Sequence, residues 1–384
     1  MAVCVTSSLS MPLPGVAFYL SLTLCAQAPT NAAPVPSKTL SAEEISDLRA
    51  RAQAGNAVAQ FKLAKSYESG DRLAADDVAA AEWLRKSAEQ GNSDAQNELG
   101  VMYLSGRGVP RDQKEALFWY HKAAWQGNAD AMFNLGAAYY NGDGVNVEDA
   151  LSYAWFILAQ GAGNPKADTA VERADSELKP WAITEAFKDI AALYDQGQYL
   201  PENRAESARW WLKAANRGDI DAQVEIGVRM VLGQGIPVDP AQGRYWCEQV
   251  AKQRDPRGEN CIGYIYRHGA GVKTDLKEAR KWYEQSAQQN NVLGIKILAE
   301  MDENGEGAKP DRASACLLYA RLALAGDRDA LERLARLKPQ ISQKDWQDVR
   351  RQLSLMHANL SKLDDQLEER HSDEDRFPGP IQPH

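Results

Sequence analysis

The sequence predicts an all-α protein: a right-handed α/α superhelical solenoid of about seven helix-turn-helix repeats, in two blocks with capping helices. Three observations carry this. Trp83, Trp119 and Trp155 stand 36 residues apart, and so do Trp210, Trp246 and Trp282, with 55 residues between the two sets. Leu63, Leu99 and Leu135, then Ile190, Ile226, Ile262 and Leu298, follow the same step. Gly70, Gly106, Gly142, Gly197, Gly233, Gly269 and Gly305 close each segment. A period of this length marks stacked helix pairs, each burying its apolar face against its neighbours.

The elements follow in chain order. Residues 1–33 read as a signal peptide: the apolar run VAFYLSLTLCA, then small residues with candidate cuts after Ala28 or Ala32. No Lys or Arg precedes that run. A lipid anchor at Cys25 and a disordered tail are the alternatives, and the run is short for a membrane span. Residues 34–54 supply a linker and an N-terminal capping helix, opened by the capping box Ser41-Ala-Glu-Glu44.

Repeats one to three occupy 55–163. In each first helix the Leu and, four residues on, Tyr67, Tyr103 or Tyr139 share one face. Gly100, Gly136, Gly227 and Gly263 beside that Leu or Ile let two backbones approach, and the closing Gly suits a left-handed helix end. Asp112, Asp239, Asp275 and Asp311 stand where second helices need an N-cap. The tryptophans are expected in the core.

A 19-residue excess in 164–185 separates the blocks at a hinge or bend. Repeats four to seven fill 186–326. Residues 327–371 form C-terminal capping helices, with a helix near Ser342–His371, and 372–384 a flexible tail.

The stretch AQNELGVMYLSGRGVPRDQKEALFWYHKAAWQGNADA resembles the Sel1-like repeat, a relative of the tetratricopeptide repeat, over about Gly55 to Gly326. The fourth unit lacks the double-Gly turn, and the seventh has Leu318 in place of Trp. The resemblance implies a concave groove lined by first helices, three before, one after and four to five after the small residue. Those positions hold Phe61, Lys65 and Glu68; Asn97, Val101 and Leu104; Phe133, Tyr140 and Asn141; and Asn260, Tyr264, Arg267 and His268. Phe133, Tyr140, Asn141, Tyr264, Arg267 and His268 are the candidate partner-binding residues, with Tyr140 and Arg267 preferred as anchors. The competing reading is packing on neighbouring units.

Catalytic motifs are absent. No HExxH, CxxC, P-loop or nucleophile elbow occurs, and the five His lack metal-ligand spacing. No catalytic, cofactor-binding or metal-binding residue is therefore assigned. One SxxK, Ser176-Glu-Leu-Lys179, keeps a penicillin-interacting enzyme as a remote alternative to a solvated helix turn. A net charge of −9 argues against nucleic acid and favours a protein partner with a basic surface. Seven acidic residues between Asp364 and Asp375 either serve such a partner or form a solvated face. Export leaves Cys247, Cys261 and Cys316, an odd number. Cys247 and Cys261 lie on consecutive helices, close enough to bridge or simply to be small interface residues.

These features predict a non-enzymatic periplasmic or envelope solenoid. The resemblance implies an inhibitor or immunity protein that blocks a secreted, lipase-type effector. The alternative is an envelope adaptor that restrains a sensor kinase or scaffolds polysaccharide export.

Overall fold

A computed structural model describes residues 41–70, 73–356 and 358–376 of the chain. The segment read as a leader, with Cys25, therefore lies outside the described residues, as do His357 and the last eight residues. Among the described residues there are 19 α-helices, one short 3₁₀ turn and no strand.

After α1 (Ala42–Gln53), the helices alternate. First helices are α2 (Ala57–Ser69), α4 (Ser93–Ser105), α6 (Ala129–Asn141), α9 (Pro180–Gln196), α11 (Ile220–Leu232), α13 (Pro256–His268) and α15 (Val292–Asn304). Second helices are α3 (Asp77–Glu89), α5 (Gln113–Trp125), α7 (Asp149–Gly161), α10 (Arg204–Asn216), α12 (Pro240–Lys252), α14 (Leu276–Gln288) and α16 (Arg312–Leu324). The extra helix α8 (Ala167–Glu177) follows α7, and α17 (Arg328–Leu337), α18 (Gln343–Leu355) and α19 (Leu360–Arg376) complete the stack. Nearly every helix packs on the next, the exceptions being α9, which packs on α7 across α8, and α18, which packs on α16, and this stacking makes the molecule a solenoid.

Capping is as periodic as the core. Ser41 and Glu44 form the capping box of α1. Asp112, Asp239, Asp275 and Asp311 cap second helices with their carboxylates. Asn56, Asn92, Asn128 and Asn291 with amide oxygens, and Asp219 and Asp255 with carboxylates, cap first helices, and Asp327 caps α17. Each such cap is worth about 1 kcal/mol against Ala.

The tryptophan ladder is not the deepest part of the core. Trp119, Trp155 and Trp246 are buried, whereas Trp83, Trp210 and Trp282 are only half-buried. The next residue lies deeper in most units: Leu84, Tyr120, Cys247, Tyr283 and Tyr319 are all almost fully buried. Tyr120 and Tyr283 need that depth because they fill the notch left by Gly100 and Gly263. A Cβ on either glycine would stand 2.6 Å or 2.8 Å from the facing tyrosine ring. Of the three half-buried rungs, Trp83 and Trp282 give way to a deeper next residue, while Trp210 and its neighbour Trp211 are both half-buried.

Two boundaries also differ from expectation. The residues between Gly163 and Ala186 are not all insertion, because Pro180 starts α9 at its first helical position, where its fixed φ suits a helix. The insertion therefore contributes α8 and an extended start to the fourth unit. α9 packs on α7, and one apolar cluster runs from Ala64 to Leu200 across this region. Near the C-terminus, the helix expected over 342–371 is two helices, broken between Leu355 and Leu360, and α19 continues to Arg376, past the expected start of the tail.

Candidate functional site

The first-helix face carries two open clefts. The first, about 350 Å³, lies where α6, α7 and α8 meet. Its floor is apolar: Phe133 and Ala137 from α6, Phe156 from α7, and Ala170, Ala174 and Leu178 from α8 and its end. Phe133 and Phe156 have ring centroids 5.3 Å apart. All three candidates from this block, Phe133, Tyr140 and Asn141, line the cleft, and Tyr140 and Asn141 are exposed.

Helix α8 forms one wall and is lightly anchored. Only Ala167 and Val171 are buried along it. Polar ties hold the rest: Tyr153 donates to Asp175, and Gln160 donates to Asp168 at 3.0 Å. Arg173 donates to the Tyr140 hydroxyl at 3.3 Å and pairs with Glu177 at 2.9 Å. The insertion thus supplies a wall that the repeat alone does not contain.

The second cleft, about 400 Å³, lies over α11, α13 and α15. Val224, Val228, Leu232, Tyr264, Leu293 and Ile297 give it an apolar lining. Tyr264 and Leu293 are exposed, as is Leu232. His268 lies beside Tyr264 with ring centroids 4.3 Å apart and planes tilted by 38°.

The preferred anchor Arg267 is not brought into this cleft. Its guanidinium donates to both Glu306 oxygens, at 2.7 and 2.9 Å, and so ties unit six to unit seven. That guanidinium holds the Glu306 carboxyl below its ordinary range. Arg267 is committed to packing between repeats. Asn260 does line the cleft but is buried, donating to the capping Asn291 at 2.8 Å.

Val224, Val228, Val231 and Leu232 escaped the sequence reading although a signal existed. They stand at the groove offsets from Gly227 that single out Phe133 and Tyr140 from Gly136. In the first block, Lys65 pairs with Glu68 at 2.7 Å and Glu98 at 3.2 Å, and Asn97 accepts from Asn134 at 2.8 Å.

Beneath the second cleft, Cys247 of α12 and Cys261 of α13 are disulfide-bonded, with Cα atoms 5.8 Å apart. Cys316 is a buried free thiol, and burial pushes its pKa up to about 12. Ser176 is exposed, and its hydroxyl donates to the Arg173 carbonyl at 2.7 Å, the geometry of a solvated helix turn. Among the described residues no helix is long and apolar enough to cross a membrane.

The Sel1 repeat pattern matches residues 57–92, 93–128, 129–160, 189–219, 220–255, 261–291 and 297–327. No curated protein matches the chain. Among solved structures, c5321, a protective antigen of uropathogenic Escherichia coli with an SLR fold, is 29% identical. That match covers 79% of this chain and 69% of the other, with a TM-score of 0.40. A Sel1 repeat protein from Oxalobacter formigenes is 28% identical over 77% of this chain and 80% of its own, with a TM-score of 0.36. A sel1 repeat protein from Klebsiella pneumoniae is 18% identical over 58% and 98%, with a TM-score of 0.23. The seven matches, which span most of the described helices and leave α8 outside, place the chain in the Sel1 repeat family of protein-interaction solenoids.

Proposed function

We propose that this chain is an exported inhibitor or immunity protein that binds a secreted toxic effector, of lipase type, with its first-helix face and covers the effector's active site. One observation carries the reading: two clefts with apolar floors and exposed tyrosines, Tyr140 and Tyr264, lie on the face where paired polar side chains occupy other positions. Aromatic side chains in partly desolvated clefts are the residues that dominate interface energies. The net charge of −9 favours encounter with a basic partner surface.

The test places a photo-crosslinking amino acid at Tyr140 and, separately, at Tyr264 in the producing bacterium. The reading expects both positions to capture the same protein. Expressing that protein without the chain is expected to be toxic, and co-expression to rescue growth. Capture of a kinase or of polymer-export components, without toxicity, supports the adaptor role instead. Capture at neither position removes the groove from consideration.

A further inference from the structure

The junction between units five and six lacks a tie that three of the seven units make to the helix before them, although Arg257 crosses it to Asp221 at 2.6 Å. In units one, two and five, a buried glutamine reaches back to the end of the preceding helix. Gln60 donates to the Ala52 carbonyl at 3.1 Å, Gln96 to Ala88 at 3.0 Å and Gln223 to Ala215 at 3.3 Å. Units three, four and seven place Met132, Phe187 and Ile295 there. Unit six alone places a carboxylate, Glu259, which is buried and accepts from Gln289 at 2.9 and 2.8 Å, the same onward contact that Gln60 makes with Gln90. A carboxylate cannot donate to the end of α12 unless it is protonated.

The turn between α12 and α13 is also unfavourable. The equivalent turns before units two, three and five use Gly91, Gly127 and Gly218, all with φ between +85° and +90°. Here Arg254 holds φ at +60°, a left-handed conformation that costs a side chain with a Cβ. The apolar cluster at this point has five buried members, Val231, Cys247, Cys261, Ile262 and Ile265, two of which are the bonded cysteines. By contrast, one cluster spans units one to three and α9.

We infer that the Cys247–Cys261 disulfide is a redox-sensitive staple at this junction: when it is reduced, α12 and α13 separate and the cleft at Tyr264 is lost, while the cleft at Tyr140 persists. Cys261 lines that cleft and is 7% exposed, whereas Cys247 is fully buried, so a small dithiol would attack the Cys261 sulfur. The dithiol delivers two electrons and two protons, the Sγ–Sγ bond breaks into two thiols, and the reductant closes into its own disulfide. Cys316 lies in α16 within a different apolar cluster and takes no part in the exchange. The consequence for binding rests on the reading of this face as the partner surface; the opening of the junction does not.

Hydrogen exchange on the full chain tests the staple, comparing the oxidised protein, the protein reduced with dithiothreitol, and a Cys247→Ser/Cys261→Ser variant that needs no reductant. Exchange in α12 and α13 is expected to quicken at least tenfold in both reduced forms, with α4 and α5 unchanged. Crosslinking repeated under reduction is expected to fail at position 264 and continue at position 140. Unchanged exchange, or an equal rise along the whole solenoid, overturns the staple. Local opening with undiminished capture at 264 overturns the gating. Absence of capture at both positions in the oxidised protein counts against the groove reading, and exchange then decides the staple by itself.

Discussion

Arg173, on the helix that interrupts the repeats, donates to the hydroxyl of Tyr140, and its guanidinium lies 5.8 Å from that ring's centroid. A residue outside the repeat pattern therefore orients the most exposed aromatic of the first cleft. Both side chains are exposed, so the contact itself is weak. Its effect is positional, because it keeps the Tyr140 ring turned along the cleft wall.

Binding is therefore expected to depend unequally on the two residues. Tyr140→Ala removes the aromatic contact and should weaken capture of the partner by roughly thirtyfold, about 2 kcal/mol. Arg173→Ala leaves the ring in place and should cost only a few-fold. Titration calorimetry with the crosslinked partner checks both. Equal losses would mean that Arg173 touches the partner directly.

The close approach of helices in each unit makes a sharp stability contrast. Gly263→Ala forces a Cβ to within 2.8 Å of the Tyr283 ring, inside a packed interface. Overpacking of this kind costs about 1–3 kcal/mol. Gly161, at the end of α7, faces open space and has an ordinary helical backbone. Gly161→Ala should raise stability by about 0.5–1 kcal/mol, since alanine loses less entropy in a helix. Urea unfolding followed by circular dichroism reads both signs.

Much of this architecture was legible because the repeat amplifies it. Each of Leu99, Gly100 and Gly106 has counterparts at the same step, and each states a requirement of helix pairing. The clefts were only half legible. Tyr140 and Tyr264 could be placed from their offset to the small residue, but the wall formed by Arg173 and Leu178 depends on how α8 folds back onto α7. No periodic position announces that fold. Arg267 stays out of the cleft for a related reason: Glu306, 39 residues later, pairs with its guanidinium, and an ion pair between repeats leaves no mark on spacing.

Acid sensitivity should trace to His121. Its ring stacks on Tyr199 with centroids 4.1 Å apart, and burial lowers its pKa from 6.5 to about 4. Between those values the unfolded chain holds a proton that the native chain does not. Stability from this group is thus complete above about pH 6.5, falls as pH drops toward 4, and levels off below. Asp189 acts oppositely: burial, with Glu185 and Glu148 nearby, raises it to about 6, so its native form gains relative stability as pH falls from 6 toward 3.8. His121→Gln should flatten the acid side of the stability curve by roughly 2 kcal/mol, and Asp189→Asn should steepen it. Urea midpoints at about pH 7 and about pH 5 measure the difference.

The most conspicuous residues of the sequence are not uniformly its most important ones for stability. Trp282 is half-buried and its indole N–H has no acceptor, whereas the adjacent Tyr283 is 1% exposed and closes the Gly263 notch. Truncating Tyr283 opens a cavity that rigid helices cannot collapse, so Tyr283→Ala should cost about 3–5 kcal/mol. Trp282→Ala loses a larger side chain but less buried area, and relieves an unsatisfied donor, so about 1–2 kcal/mol is expected. Unit three supplies the internal control. There Trp155 is 1% exposed and Phe156 is 9% exposed, and the order of the two alanine costs should reverse. Unfolding curves for the four single variants read the comparison directly. If tryptophan dominates in both units, depth of burial is not what sets the core energy of this solenoid.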